Sequence, residues 1–192
     1  MAAYSRRTRA MQARLKKTVV LVGLMGAGKT AVGKALATML RVPFRDSDAA
    51  IVEAANMSIA EIFARDGEPF FRRKESQVIE RLLDSTPSVL STGGGAFMQP
   101  DTREMVTRKG VSVWLDADLP LLWSRVRHKD TRPLLRTANP FETLSELYSA
   151  RAPIYALADL SVTARPRFSI EDTAAEVCEA LKSRPDVLEF PK

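Results

Sequence analysis

Short apolar runs alternate with amphipathic segments along this chain. The first run, residues 18–22, is β-branched and aliphatic and ends at Gly23, a pattern typical of a buried parallel strand. Four more runs predict strands at residues 42–45, 89–91, 111–115 and 160–163. Helical patterns lie between and after them, at residues 29–40, 58–67 and 68–83 and from about residues 100, 119, 141 and 169. The alternation predicts a three-layer α/β/α fold around a five-stranded parallel sheet, with ligands at the carboxyl ends of the strands.

The positive charge of the chain is concentrated at its start. The sequence has 29 basic and 23 acidic residues, and residues 1–17 hold six of the bases and no acid. The rest of the chain is therefore balanced, which argues against a specific nucleic-acid surface on the folded part. We expect a disordered basic tail over residues 1–17, one domain over 18–183 and a short C-terminal tail over 184–192. An organelle-targeting peptide or a nucleic-acid arm is the alternative for the basic tail.

Two features bear on the location of the protein. No apolar run approaches the roughly 18 residues that a membrane-spanning helix needs. The single cysteine, Cys178, excludes an intramolecular disulfide and suits a reducing compartment. We therefore expect a cytoplasmic protein that makes no membrane contact.

A phosphate-binding motif follows the first strand. Residues 23–30 read GLMGAGKT and match G-x-x-x-x-G-K-[ST] between a predicted strand and a predicted helix. Backbone N–H groups of such a loop surround phosphate oxygens, the lysine reaches the β- and γ-phosphates, and the hydroxyl binds Mg²⁺. The predicted phosphate-binding residues are Gly26, Ala27, Gly28, Lys29 and Thr30, with Thr30 as a metal ligand.

Two further motifs end the neighbouring strands. Asp46-Ser-Asp48 offers one carboxylate for the metal shell and another for a hydroxyl-bearing substrate. Asp48 could also cap the next helix, and the two roles do not exclude each other. Residues 91–95 read STGGG, where glycines allow close approach of a ligand to the backbone, and the alternative is a plain flexible turn.

Several arginines could bind an anionic substrate. Arg72 and Arg73 follow two phenylalanines, Arg132 lies in a basic stretch over about 128–140, and Arg151 begins RAPIY. Guanidinium groups bind carboxylate and phosphate in a bidentate manner. The basic stretch shows little apolar periodicity and is interpreted as a lid loop between two helices.

In their order along the chain, these motifs resemble those of the shikimate kinase family. The matching segments, from about residue 19 to residue 162, read GLMGAGKT, DSD, DGEPFFRRKE, STGGGA, TRPLL and RAPIY. The resemblance implies a P-loop kinase of the nucleoside-monophosphate-kinase type. It also implies transfer of the ATP γ-phosphate to the 3-hydroxyl of shikimate with Mg²⁺, in the biosynthesis of aromatic amino acids. We expect such a kinase to be a monomer.

The resemblance also assigns roles to individual residues. It implies that Lys29, Asp48 and Arg132 are catalytic and that Arg132 also contacts the ATP phosphates. Asp46 and Ser91 would reach Mg²⁺ through water, and Arg125 would pack on adenine. The implied shikimate-binding residues are Asp48, Arg72, Glu75, Gly94, Gly95 and Arg151.

Two other functions share parts of this pattern. A P-loop kinase of another hydroxy acid, such as gluconate, would keep the phosphate loop but not the acceptor-side set of Asp48, Arg72, the triple glycine and Arg151. A nucleotide-switched binding module such as a GTPase would need an N-K-x-D segment after a later strand, and this sequence has none.

Overall fold

The fold is built on a parallel β-sheet. A computed structural model describes residues 13–128 and 133–190. The sheet strands are β2 (Thr18–Val22), β3 (Phe44–Asp46), β4 (Val89–Ser91), β5 (Gly110–Asp116) and β6 (Leu160–Thr163). They lie in the order β3-β4-β2-β5-β6, and every neighbouring pair is parallel. The five-stranded parallel sheet predicted from the alternating pattern is confirmed.

Seven α-helices connect and cover the strands within the described residues. They are α1 (Lys29–Leu40), α2 (Ser47–Ala55), α3 (Ile59–Leu83), α4 (Pro100–Lys109), α5 (Leu119–Val126), α6 (Pro140–Tyr155) and α7 (Ile170–Leu181). Helices α1 and α7 pack together on one face of the sheet, whereas α3 and α4 pack together on the other. The result is the predicted three-layer α/β/α arrangement. In residues 13–128 and 133–190, no helix is both long and apolar enough to span a bilayer.

The core is centred on β2, whose five residues are all buried. Val32 and Leu36 of α1 are buried against it, as their spacing predicts. Gly33 on the same helix allows α1 to approach β3, because a Cβ there would lie 2.7 Å from the Phe44 ring. The phosphate-loop strand is thus held rigidly at the middle of the sheet.

A break divides α3 where the sequence predicts one helix to end and the next to begin. Ser58 and Glu61 form the predicted capping box at its start. Gly67 then adopts φ 79° and ψ 169°, a conformation that favours glycine, and Pro69 follows in the first turn of the second part. The second part carries Arg72 and Glu75 toward the carboxyl edge of the sheet.

The folded domain extends further at both ends than predicted. Strand β1 (Arg14–Leu15) pairs antiparallel with β7 (Leu188–Glu189), and Lys16 N–H donates to the Val187 carbonyl at 2.7 Å. Leu15, Val187 and Leu188 are buried. Assigning residues 14–17 and 187–189 to tails was therefore wrong, because these short segments stabilise each other. The rest of the predicted basic tail, residues 1–12, lies outside the described part of the chain.

Strand β3 also begins later than predicted, at Phe44 rather than residue 42. Pro43 precedes it and has no N–H to donate to a ladder, although its carbonyl accepts from Val89 N–H at 3.0 Å. The shift brings Asp46 into the strand as its last residue.

Candidate active site

The predicted motifs meet at the carboxyl edge of the sheet. The phosphate loop, residues 23–30, follows β2, the central strand. Residues 46–48 lie at the end of β3, and residues 91–95 at the end of β4, the strand between β3 and β2. The three loops are therefore neighbours, at the place where open α/β sheets bind ligands.

The phosphate loop has the backbone conformation that its glycines allow. Gly26 has φ 85° and Gly28 has φ 96°, and α1 begins directly after Gly28. The ammonium group of Lys29 donates to the carbonyls of Gly23 at 2.7 Å and Leu24 at 3.2 Å. The loop and the helix N-terminus together form a site suited to phosphate.

Helix α5 supports this loop through Arg125. Its Nη1 donates to the carbonyls of Gly26 at 3.1 Å and Ala27 at 3.3 Å. Burial lowers the pKa of this guanidinium. The predicted adenine-side residue therefore lies against the backbone of the phosphate loop, and its contact with adenine stays a prediction.

Three oxygen-bearing side chains predicted around a metal lie at this edge. The hydroxyls of Thr30, in the first turn of α1, and Ser91, the last residue of β4, are 3.5 Å apart. The Asp46 carboxylate caps α2 by accepting from the N–H groups of Asp48 at 3.0 Å and Ala49 at 3.2 Å. The alternative in which Asp48 caps this helix is wrong, because Asp46 occupies that position.

The chemistry of this set suits Mg²⁺ bound together with a nucleotide. In the described residues there is no group of three or more His, Cys, Asp or Glu side chains that could hold a metal alone. Mg²⁺ commonly takes one or two protein oxygens and completes its shell with phosphate and water. One hydroxyl next to the phosphate loop, with a second hydroxyl and a carboxylate nearby, meets that requirement.

The acceptor side of the site is arranged around the triple glycine. Gly93 lies between two carboxylates, because a Cβ placed on it would be 2.8 Å from Asp48 Oδ1 and 3.1 Å from Glu75 Oε1. A Cβ on Gly95 would be 2.6 Å from Arg72 Cζ. A Cβ on Gly94 would be 3.6 Å from Arg151 Nη1. The turn thus brings together residues from three separate segments.

Arg72 and Glu75 form a largely buried ion pair. Arg72 Nη1 is 2.7 Å from Glu75 Oε2, and the Glu75 side chain is only 2% exposed. Glu68 binds the same guanidinium at 3.0 Å from the solvent side. Burial raises the pKa of the Glu75 carboxyl, and Arg72 opposes that rise. The pair fixes the direction of the guanidinium, and a role of Glu75 in binding shikimate stays a prediction.

Sequence reasoning missed two residues that hold the triple glycine. Ser47, fully buried between the two aspartates, accepts from Gly93 N–H at 3.3 Å. Tyr155 donates its hydroxyl to the Gly94 carbonyl at 2.5 Å. The sequence did point to these positions, because Ser47 lies within the DSD motif and Tyr155 ends the RAPIY motif.

Two predicted arginines are not part of the described cluster. Arg73 is exposed and its guanidinium lies over the Phe70 ring, 5.9 Å from the centroid. Arg132 lies outside the described residues. Of the predicted lid, the structure describes residue 128 and residues 133–140, where Leu135 is buried and Leu134 is exposed.

Comparison with known proteins identifies related sequences over nearly the whole chain. The family model described as "Shikimate kinase" matches residues 25–182. The shikimate kinase of Cereibacter sphaeroides is 66% identical over 94% of this chain and 90% of its own length. The shikimate kinase of Ruegeria pomeroyi is 64% identical over 93% of this chain and 91% of its own length.

The similar solved structures include shikimate kinases and also kinases with much lower sequence identity. A shikimate kinase from Acinetobacter baumannii in complex with shikimate matches with a TM-score of 0.80 and 35% identity, over 87% of this chain and 93% of that one. A gluconokinase from Sinorhizobium meliloti matches with a TM-score of 0.59 at 17% identity, over 88% of this chain and 94% of that one. The second likeness concerns the fold alone.

Proposed function

The chain belongs to the shikimate kinase family, and we propose that it uses the site described above to transfer the γ-phosphate of ATP to the 3-hydroxyl of shikimate. The observation that carries this proposal is the triple-glycine turn. It has the carboxylates of Asp48 and Glu75 beside Gly93 and the guanidinium groups of Arg72 and Arg151 beside the next two glycines. An acceptor with hydroxyls and a carboxylate matches that combination of charges.

Phosphoryl transfer depends on positioning and charge neutralisation more than on covalent steps by the protein. We propose that the N–H groups of Gly26, Ala27 and Gly28 hold the ATP phosphates. The Lys29 ammonium group would exchange the carbonyls of Gly23 and Leu24 for phosphate oxygens. The loop already has the left-handed glycine conformations that a phosphate cradle requires, so little backbone ordering is needed on binding.

On the acceptor side, we propose that Asp48 binds the shikimate hydroxyls and accepts the proton of the reacting one. The carboxylate of shikimate would lie between Arg72 and Arg151, with Gly94 and Gly95 allowing the ring to approach the backbone. Glu75 supports this arrangement because it binds Arg72 at 2.7 Å from a buried position. The cationic clamp would also balance the charge of the acids around Gly93.

Mg²⁺ would be held by Thr30 directly and by Asp46 and Ser91 through water. When bound with ATP, such an ion neutralises charge on the β- and γ-phosphates. Thr30 and Ser91 fit this role because their hydroxyls are 3.5 Å apart, at the start of α1 and the end of β4.

Arg132 is proposed to stabilise charge on the transferring phosphoryl group when the lid closes. A guanidinium that acts mainly in the transition state contributes to kcat and little to ground-state binding. An Arg132→Ala variant should therefore lose on the order of 10²-fold in kcat and keep its ATP affinity. Steady-state kinetics and equilibrium nucleotide binding would measure the two quantities separately. A kcat close to that of the wild type would remove Arg132 from this role.

We also propose that the chain acts as a monomer, because one chain supplies every residue of the described site. We propose a cytoplasmic location because a single cysteine suits a reducing compartment. Light scattering after size-exclusion chromatography would test the monomer, and a stable dimer in the assay buffer would contradict it.

The decisive test of the function is a coupled assay of ADP release with Mg·ATP. Shikimate, gluconate and no acceptor would be compared at equal protein concentration. Turnover that depends on shikimate is the expected result. Turnover with gluconate and not with shikimate would keep the kinase fold and overturn the acceptor assignment.

A further inference from the structure

Among the described residues, Tyr155 is the largest fully buried side chain, and its hydroxyl lies at the functional edge of the sheet. The residue is 2% exposed, at the last position of α6. Its ring stacks with those of Phe97 and Trp114, with centroid separations of 6.4 and 6.3 Å. Apolar packing stabilises the buried ring, but a buried hydroxyl is stable only when it has hydrogen-bond partners.

Both partners of that hydroxyl belong to the acceptor side of the site. The hydroxyl donates to the Gly94 carbonyl at 2.5 Å, and the Arg151 guanidinium lies close enough to the hydroxyl to oppose the rise that burial causes in its pKa. Arg151 and Tyr155 are four residues apart on α6, so both side chains lie on the same face of the helix. Burial raises the pKa of Tyr155 to about 12, so the hydroxyl keeps its proton and remains a donor near neutral pH.

The geometry around Gly94 explains why this connection matters. A Cβ on Gly94 would be 3.5 Å from Tyr155 Oη and 3.6 Å from Arg151 Nη1, so both side chains lie against this glycine. Arginine has several rotatable bonds, and an exposed one samples many directions. Here the buried hydroxyl is bonded to the glycine carbonyl beside the guanidinium, which limits the directions open to Arg151.

From these contacts we propose that Tyr155 is a positioning residue for the acceptor: its hydroxyl joins Arg151 to the triple-glycine turn and so sets where the acceptor carboxylate binds. This inference rests on the proposed function, because it concerns the same acceptor site. Tyr155 itself does not touch the reacting atoms. Its effect is on the binding of shikimate rather than on the phosphate loop.

The test is the Tyr155→Phe variant, which keeps the ring and removes only the hydroxyl. The KM for shikimate should rise about tenfold, because one preorganised hydrogen-bond connection is worth about 1.4 kcal/mol. The KM for ATP should stay within about twofold, since the phosphate loop keeps its own contacts. Titration calorimetry with shikimate alone should give the same tenfold loss of affinity.

Tyr148→Phe is the matched control, because Tyr148 lies on the same helix and lines a small cavity with Trp114 and Tyr155. It should leave both KM values unchanged. Thermal melting of both variants separates positioning from folding. An unchanged shikimate KM in Tyr155→Phe would overturn the proposal, and so would equal changes in both KM values together with a large loss of melting temperature.

A double-mutant cycle with Arg151→Ala asks whether the hydroxyl acts through the arginine. If it does, Tyr155→Phe should change the shikimate KM by less than threefold in the Arg151→Ala background. An undiminished tenfold effect there would contradict the connection. Turnover of the wild type with shikimate is measured in the same series. A wild type that does not turn over shikimate would contradict the proposed function, whereas an unchanged KM in Tyr155→Phe would contradict only the role of Tyr155.

Discussion

At the residue scale, the glycines of this chain differ in what surrounds them, and substitution should affect them differently. Gly95 lies against the movable end of a side chain, because a Cβ there would be 2.6 Å from Arg72 Cζ. Gly33 lies against the Phe44 ring and the Leu21 side chain, which pack in or against the hydrophobic core. The sequence shows that Gly95 belongs to a glycine triplet and that Gly33 lies in a predicted helix, but it does not show which side chains surround them.

Gly95→Ala should therefore weaken substrate binding without unfolding the protein. The added methyl group displaces the Arg72 guanidinium, and the KM for shikimate should rise roughly tenfold. The KM for ATP and the melting temperature should change little, as measured by steady-state kinetics and calorimetry. An unchanged shikimate KM would mean that Arg72 does not bind the acceptor in this position.

Gly33→Ala is the control with the opposite outcome. Overpacking against Phe44 costs about 1–3 kcal/mol, and the helical gain from alanine offsets about 1 kcal/mol of it. We expect a melting temperature lower by about 2–4 °C with both KM values unchanged.

Residue chemistry also decides which site residues could be predicted from the sequence. Lys29, Asp48 and Arg151 carry charges in recognisable motifs, and the structure brings them to one edge of the sheet. Ser47 and Tyr155 act through hydroxyls on backbone groups, and a sequence pattern does not show which backbone group a hydroxyl will meet. Such contacts depend on the approach of α2 and α6 to the glycine turn, which is a tertiary property.

At the element scale, helix α5 acts as a support for the phosphate loop. Arg125, in its last turn, binds two carbonyls of that loop, and a Cβ on Gly26 would be 2.8 Å from Val126 of the same helix. The motif that predicts nucleotide binding lies between β2 and α1, so sequence neighbours alone do not reveal this third element.

Arg125→Met tests that support. Methionine keeps much of the apolar stem and removes both hydrogen bonds, so the loop should lose order. The KM for ATP should rise about five- to tenfold, with the shikimate KM unchanged. Displacement of a fluorescent ADP analogue would measure nucleotide affinity directly. Arg108→Met, at an exposed position on α4, is the control and should behave as the wild type.

Element boundaries were predicted well where a residue has a special backbone requirement. The Ser58 capping box and the break at Gly67 were read correctly because they depend on local chemistry. The pairing of β1 with β7 was missed, since two-residue strands carry no periodicity and their partners are far apart in sequence.

At the scale of the whole molecule, charge also joins the two ends of the described chain. Asp186 accepts hydrogen bonds from Arg184 at 2.8 Å and from Lys17 at 3.1 Å. Both hydrogen bonds lower the pKa of Asp186, and the bond from Arg184 has the larger effect. The folded state therefore binds this proton less tightly than the unfolded state, and the carboxylate stabilises the fold at neutral pH.

Asp186→Asn should lower the melting temperature at pH 7. The difference from the wild type should shrink as the pH falls below the ordinary carboxyl pKa of 3.8, because the unfolded chain then binds a proton at Asp186 while the folded state, with its lowered pKa, resists protonation. The contribution is lost fully once the pH passes below the folded-state pKa. Glu104→Gln changes an exposed acid with no hydrogen bond or ion pair among residues 13–128 and 133–190, and it serves as the control. A difference that stays constant from pH 7 to pH 3 would contradict the ion pair's contribution.

The pairing of β1 with β7 also determines where the protein can be tethered without covering the candidate active site. Arg14 and Glu189 are opposite each other in that ladder, so the ends of the described chain are neighbours in space. Residue 16 continues directly into the amino end of β2, whereas the site lies at the carboxyl end of that strand. A tether attached at either end would therefore leave the carboxyl edge of the sheet, with the candidate active site, facing outward. Because the two ends are neighbours, a short peptide could also join them, as a circular permutant requires.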